Sequence, residues 1–386
     1  MNIQLGDPVI VSQAPPHLRS WGPWQFPLLH RLEDGRLLLE FHKEADSAVA
    51  YGLPPGQAVS QDEGASWQEL PAGGLEAGLR LPNGDRLRAF QKPSLPAADL
   101  ALPAAWAHLP SSYDITYTYY RRAALPPELR RGWWLRRQAA GSAAWQEEQA
   151  QVETPHDLVY ATENVFVFPY FEQDRLHVAP DGELLATLYG LPQVERDRTI
   201  VRRFLALLVA SRDNGRTWRI KSAIPYYPDP KADRLWDARD GFTEPQIGFL
   251  PDGSLLALLR TSDGNGQGPL YATRSTDGGS SWELPRVFDQ IGVWPQLLTL
   301  QNGVTLAAYG RPGLYVRAAS DPAARRWGRR RTIVPPRETG HDTCSYCDLL
   351  ALSDHEALIA YSDFNVPDRA GRPCKSILAR KIRVQL

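Results

Sequence analysis

The sequence predicts an all-β protein, a ring of six four-stranded blades, from two interleaved repeats. The first is Ser-x-Asp-x-Gly-x-x-Trp, which occurs as Ser60 to Trp67, Ser211 to Trp218 and Ser275 to Trp282, with a weakened copy at Ser320 to Trp327 that keeps only the Ser and the Trp. The second is an Asp/Asn-Gly turn between apolar runs, with turn glycines at Gly35, Gly84, Gly182, Gly253 and Gly303 and His355 in the sixth copy. Self-similarity at a fixed period marks a repeat architecture, and Asp-Gly or Asn-Gly between apolar runs marks a hairpin, because both central residues tolerate positive φ.

The spacing then sizes the units. Successive turns lie 49, 98, 71, 50 and 52 residues apart. Each interval accommodates about four short strands, the content of a propeller blade. The boxes begin 25, 29, 22 and 17 residues after their turn glycines, so each unit supplies an inner hairpin and then an outer one capped by the box. The box reads as scaffold: its Ser and Asp satisfy backbone donors, its Gly takes positive φ and its Trp packs between sheets. The long second interval predicts an insertion at about 96–160 within blade two of a single domain spanning 1–386. That insertion contains the run RRGWWLRR and a segment, AAGSAAWQEEQAQ, with helical character. The chain ends, Pro8 to Val11 and SILARKIRVQL, read as strands that close the ring in one blade and remove free edges.

Composition excludes several classes. With 43 basic and 44 acidic residues and a net charge of -1, no nucleic-acid footprint or polybasic membrane surface is expected. No apolar run approaches the ~20 residues of a membrane helix. The N-terminal segment lacks a basic region followed by an apolar stretch, so a cytoplasmic location is expected unless a signal has been removed. Cys344, Cys347 and Cys374 are too few for a disulfide scaffold. Cys344-x-x-Cys347 after His341 lacks the second ligand pair of a closed zinc site, so no metal and no cofactor is expected.

In such a ring, equivalent positions of different repeats meet around one axis. Nine residues before each turn stand Phe26, Leu75, Gln173, Glu244, Trp294 and Tyr346. A carboxylate and a phenol in one cavity form a chemical pair, because the carboxylate draws the phenolic proton and makes the oxygen nucleophilic. Seven or eight residues past each turn stand His42/Lys43, Gln91/Lys92, Tyr189/Gly190, Arg260/Thr261, Gly310/Arg311 and Ser362/Asp363. The grouped cations imply an anionic ligand.

These motifs resemble the sialidase (neuraminidase) superfamily of Asp-box, or BNR, repeat propellers, over nearly the whole chain except the insertion. The segment Thr243 to Gly253 leading to Arg260, the Arg311 segment YGRPGLYVRAAS and the segment Ser345 to Leu349 carry the likeness. The resemblance implies an exo-glycosidase acting on a terminal acidic sugar with retention, Tyr346 as nucleophile and Glu244 as its base. It implies Asp46, with Glu44 two residues away, as acid/base and Arg260 and Arg311 as carboxylate ligands. One departure stands out. Where the family has an Arg-Ile-Pro motif on the first inner strand, this chain has Gln25-Phe26-Pro27. Lys43, Lys92 or His42 is then expected to supply the missing charge, or the substrate is another acidic saccharide. Two rival readings share the fold: hydrolysis or β-elimination on another acidic saccharide, and a non-catalytic propeller that binds carbohydrate or protein, with His341, Trp294 and the WW-containing insertion available for binding.

Overall fold

The turn glycines of the five Asp/Asn-Gly hairpins all take left-handed backbone, with φ of 84 to 89°. Each hairpin closes the same way; in the fourth, the Leu250 amide donates to the Ser254 carbonyl at 2.9 Å and the Gly253 amide to the Leu250 carbonyl at 2.9 Å. The computed structural model describes residues 2–385 apart from 48–49, 51, 72, 90, 111–115, 131–132, 154–157, 163–164, 167–174, 195–199, 264–265 and 338–341.

Six antiparallel meanders form the blades of a β-propeller. Blade one is Gln25–Arg31, Leu37–His42, Gly56–Ser60 and Gln68–Leu70. Blade four is Thr243–Phe249, Leu255–Arg260, Leu270–Ser275 and Arg286–Asp289, and blade five is Val293–Thr299, Thr305–Gly310, Leu314–Ala319 and Arg331–Val334. Blade three, Leu176–Val178, Leu184–Val194, Ile200–Ser211 and Thr217–Ile224, carries Gln151–Glu153 as a fifth, parallel edge strand. Blade six is Cys347–Ala351, Glu356–Pro367 and Pro373–Gln385, with the N-terminal strands Asn2–Leu5 and Val9–Gln13 paired on the last of these. The N- and C-terminal segments therefore share one sheet, as their strand patterns predict.

Each blade is covered on both faces by its neighbours. That is why second strands such as LLALLR, Leu255–Arg260, are buried at every position rather than alternating. The apolar layers lie between blades: Leu306, Val316, Ile359 and Ile382 join blades five and six, and Leu208, Tyr226, Ile247 and Leu259 join three and four.

The insertion differs from its expected form. Blade two consists of Leu79–Arg80, Arg86–Ala89, Trp134–Gln138 and Trp145–Gln149. The WWLRR run and the segment expected to be helical are thus its outer hairpin. Trp145–Gln149 pairs antiparallel with Trp134–Gln138 across Gly141, which has φ 77° and supplies the turn. Cross-strand partners outweigh the local helical propensity of Ala, Gln and Glu there. The insertion proper is a separate five-stranded sheet of Leu95–Pro96, Ala107–Pro110, Thr116–Arg121, Leu158–Thr162 and Val165–Phe166. It leans on the projecting hairpin of blade three, where Tyr117 packs on Phe204 with ring centroids 5.7 Å apart. Among the described residues the one α-helix is Pro127–Arg130, and no helix is long and apolar enough to cross a membrane.

The boxes form self-bonded turns at the end of the blades opposite the first residues of the inner strands. In each full copy the Ser hydroxyl donates to the Asp carboxylate at 2.8 Å. The same hydroxyl accepts from the Gly amide at 2.8, 2.9 and 2.7 Å in turn. The weak copy keeps part of this through Asp321, one position early, whose carboxylate accepts from the Arg325 and Arg326 amides at 2.9 Å each. Bonds from Ser66, then Ser60, hold the Asp62 carboxyl at about 2, and Asp277 is lowered in the same manner by Ser281 and Ser275. Because the folded pKa lies below the unfolded value of about 3.9, this stabilisation is present above about pH 4 and is lost as pH falls towards 2. The melting-temperature gap between the native protein and Asp62→Asn is expected to hold level from about pH 6 to about 4.5 and to shrink as pH is lowered further to about 2.5. A gap that stays constant with pH is incompatible with this account.

Candidate active site

The innermost strands of blades one, four and five begin with a β-bulge at one shared position. Pairing shifts register between Gln25 and Leu28, between Thr243 and Gln246, and between Val293 and Gln296. The bulged residues are Phe26, Glu244 and Trp294, each followed by proline, with φ of 55, 42 and 48°. Non-glycine residues in this region carry a cost of roughly 1–3 kcal/mol each and concentrate where a side chain must be re-aimed. In blade six the left-handed residue is Ser345, φ 65°, directly before Tyr346. Three bulged starts and the left-handed Ser345 thus direct Phe26, Glu244, Trp294 and Tyr346 at one another.

Their side chains form a close cluster. Tyr346 Oη donates to Glu244 Oε1 at 2.5 Å. The other carboxylate oxygen, Oε2, accepts the Trp294 amide at 2.8 Å. The Tyr346 ring lies between Trp294, 4.3 Å away at 34°, and Phe26, 4.6 Å away and edge-on at 88°. Arg260, 6% exposed, ion-pairs with Glu244 through Nη1, which also lies 3.4 Å from Tyr346 Oη, while Nη2 donates to the Gly266 carbonyl at 3.3 Å. Arg311 stacks over Trp21 at 5.0 Å and faces the Tyr346 ring at 5.9 Å, its Nη2 donating to the Cys344 carbonyl at 2.7 Å. Burial, then the Glu244 charge, push the Tyr346 phenol well above its usual pKa, while Arg260 and Arg311 draw it down. The phenol therefore stays protonated, with its proton already aimed at a carboxylate.

Asp46 reaches this mouth from the loop after the second strand of blade one. Its Oδ2 accepts Trp21 Nε1 at 3.0 Å, and its amide donates to the Trp21 carbonyl at 3.3 Å. Close approach of the two loops requires Gly22, φ 111°, since a Cβ there would sit 2.1 Å from the Asp46 amide. His42 packs on Phe26 at 4.7 Å; desolvation in the concave mouth lowers its pKa while the Asp46 charge opposes that.

Three expected ligands lie elsewhere. Lys43 points outward along blade one, its ammonium 4.6 Å from the Trp24 ring and 3.7 Å from Glu69 on the outermost strand. Lys92 ion-pairs with Glu147 on the outer strand of blade two and covers Trp134 at 4.6 Å. In both cases an aromatic face and a carboxylate within the lysine's own blade hold the cation away from the axis. Gln25 is 0% exposed and its amide has no hydrogen-bond partner among the described residues, so it touches nothing in the open mouth. None of the three supplies the missing charge. Gln173 and His341 lie outside the described residues. Cys344, Cys347 and Cys374 are buried free thiols, and Cys344 Sγ sits 2.9 Å from Ser362 Oγ.

Sequence reasoning missed Trp21, Phe364 and Lys375. Trp21 joins Asp46 to Arg311 and packs edge-on against Phe26 at 6.4 Å and Phe364 at 6.2 Å. Lys375, 2% exposed, holds the Trp21 segment by donating to the Ser20 carbonyl at 2.7 Å, and its ammonium lies 5.0 Å from the Phe364 ring. Desolvation lowers Lys375 to about 8. Phe364 was findable, one residue past the Ser362/Asp363 slot; Trp21 and Lys375 lie outside both repeats and left no periodic signal.

Comparison with known proteins fits this architecture. A family model described as a BNR repeat-like domain matches residues 143–359, more than half of the chain. A solved protein of unknown function from Dyadobacter fermentans superposes with a TM-score of 0.62 at 17% identity, covering 99% of both chains. An alpha-L-arabinanase of Penicillium chrysogenum superposes at 0.52 with 13% identity over 97% of this chain and 98% of its own. A Hadza microbial sialidase does so at 0.50 with 15% identity over 92% of this chain and 65% of its own. No curated protein sequence matches. At these identities the solved structures share a fold with this chain, a sialidase-like six-bladed propeller. On the strength of the family match and that architecture, the chain belongs to the BNR repeat-like family.

Proposed function

We propose that this protein is a retaining exo-glycosidase that removes a terminal acidic sugar, with Tyr346 as nucleophile. The observation that carries the proposal is the 2.5 Å bond from Tyr346 Oη to Glu244 in an aromatic-walled niche flanked by two arginines. Tyrosine nucleophiles are the sialidase exception to the two-carboxylate scheme of glycoside hydrolysis. They suit an anomeric carbon next to a carboxylate, which repels an anionic nucleophile. A neutral phenol approaches without repulsion and becomes anionic only as its proton passes to Glu244.

In the first step Tyr346 Oη bonds to the anomeric carbon, the glycosidic bond breaks, the phenolic proton goes to Glu244, and Asp46 protonates the leaving oxygen. In the second, water attacks the same carbon from the vacated side, Asp46 takes its proton, the tyrosyl bond breaks, and Glu244 returns the proton to the phenolate. Two inversions give net retention. Arg311 and Arg260 hold the sugar's carboxylate, and Trp294 and Phe26 confine the ring. With Gln25 buried and Lys43 and Lys92 turned away, this grip has two guanidiniums rather than three, which favours an acidic sugar other than an ordinary sialic acid.

A panel of aryl glycosides of sialic, ketodeoxynononic and uronic acids tests the reading directly. One acidic glycoside is expected to be cleaved with retention, and the corresponding glycosyl fluoride carrying a second fluorine on the carbon next to the anomeric centre to add its sugar mass to the peptide bearing Tyr346. Release of an unsaturated, ultraviolet-absorbing product would identify a lyase instead, and binding of these sugars without any product a lectin.

A further inference from the structure

A second cavity opens at the same end of the propeller as Tyr346. It has a volume of about 610 Å³ and is walled by the loop before blade four (Lys231, Asp233, Arg234, Leu235, Arg239), by Asp263 and 267–269, and by Gln290. The strand order places all three segments at the Tyr346 end. Arg260, which ends the second strand of blade four, and Gln290, which follows the fourth, both emerge where Glu244 begins the first. Arg260, at the end of that second strand, contacts Tyr346 through Nη1 and the Gly266 carbonyl through Nη2.

The floor of this cavity is fixed and electrically satisfied. Asp233, 1% exposed, receives Arg239 Nη2 at 2.7 Å and Nε at 3.0 Å, and Tyr271 Oη at 3.1 Å. Arg239 Nη1 lies 3.8 Å from Asp263. Arg239 therefore engages both carboxylates of the cavity. Lys231 and Arg234, exposed on its walls, form no ion pair among the described residues. Leu235, 51% exposed, and Pro269 add an apolar face beside them. Two unengaged cations beside an apolar wall match a sugar ring, which presents an apolar C–H face, carrying a carboxylate or sulfate. The volume lies within the roughly 300–1,000 Å³ of ordinary small-ligand sites.

We infer that this cavity is an accessory subsite for an anionic sugar unit, so that the substrate is an acidic oligosaccharide whose terminal residue enters the Tyr346 niche while a unit further along lies against Lys231 and Arg234. The inference rests on the glycosidase reading for the terminal residue, but not for the binding of the second unit.

Titration calorimetry on the intact chain separates the two. The probes are tetragalacturonate, a disialylated oligosaccharide and a heparin-derived tetrasaccharide, with maltotetraose as the neutral reference. At least one acidic probe is expected to bind more tightly than maltotetraose, with affinity falling as salt is raised. The double variant Lys231→Gln/Arg234→Gln is expected to weaken that binding about 3- to 10-fold, the range for two exposed charge contacts, with the melting temperature and maltotetraose affinity unchanged. Three acidic probes no better than maltotetraose, or a double variant that binds them as well as the native chain, would overturn the subsite. Charge-dependent binding through Lys231 and Arg234 with no turnover of any glycoside would retain the subsite and reject the glycosidase.

Discussion

Tyr346→Phe is expected to lower kcat on any cleaved glycoside by at least about a thousandfold, because it removes the one atom that forms the covalent bond. The change is small in every other respect. The phenyl ring keeps its contacts with Trp294 and Phe26, and Glu244 keeps its ion pair with Arg260 and its bond from the Trp294 amide. Loss of a single hydrogen bond costs about 1 kcal/mol, so the protein stays folded. Substrate affinity is expected to hold within a few-fold, since Arg311 and the aromatic walls are untouched. Steady-state kinetics and a melting curve on the same preparation decide the matter. Full turnover in Tyr346→Phe removes tyrosine from the chemistry, whereas lost turnover with unchanged binding assigns it the transition state rather than the ground state.

Glu244→Gln is expected to lower kcat by about 10²–10⁴-fold, the usual yield of a positioned proton acceptor. The amide still reaches Tyr346 but no longer takes its proton. This variant also reduces stability, which distinguishes it from the first. Arg260 is 6% exposed and loses its countercharge, and breaking a buried pair from one side costs about 3–5 kcal/mol. The informative comparison is therefore between kcat and melting temperature. An Arg260→Met/Glu244→Gln double variant, which removes the stranded charge as well, is expected to regain stability but not turnover, since it lacks both the proton acceptor and one carboxylate ligand. If it regains both, Glu244 serves only to neutralise Arg260, and neither residue takes part in the chemistry.

Much of this site was legible because a propeller converts sequence period into spatial coincidence. Counting nine residues back from each turn brought Phe26, Glu244, Trp294 and Tyr346 to one slot, and these four meet in the structure. The same counting placed Arg260 and Arg311 on the rim. It failed for Lys43 and Lys92, which occupy equivalent positions but have long, flexible side chains. Where such a side chain ends depends on which aromatic face and which carboxylate lie near, here Trp24 with Glu69 and Trp134 with Glu147. Spacing carries no information about that choice. The segment expected to be helical failed for a related reason: Trp145–Gln149 has no strand alternation of its own and is a strand because Trp134–Gln138 pairs with it.

The blade number, the turns, the box scaffold and the chemical pair Tyr346 and Glu244 are all readable from the residues, because each follows from local residue chemistry repeated at a fixed period. That Gln25 is buried, that Trp21 links Asp46 to Arg311, that Lys375 secures the Trp21 segment and that blade four bears a cavity at the Tyr346 end emerges from the folded chain alone. These depend on loops lying outside the repeat, whose positions come from contacts between segments far apart in the chain, and such contacts leave no period to count.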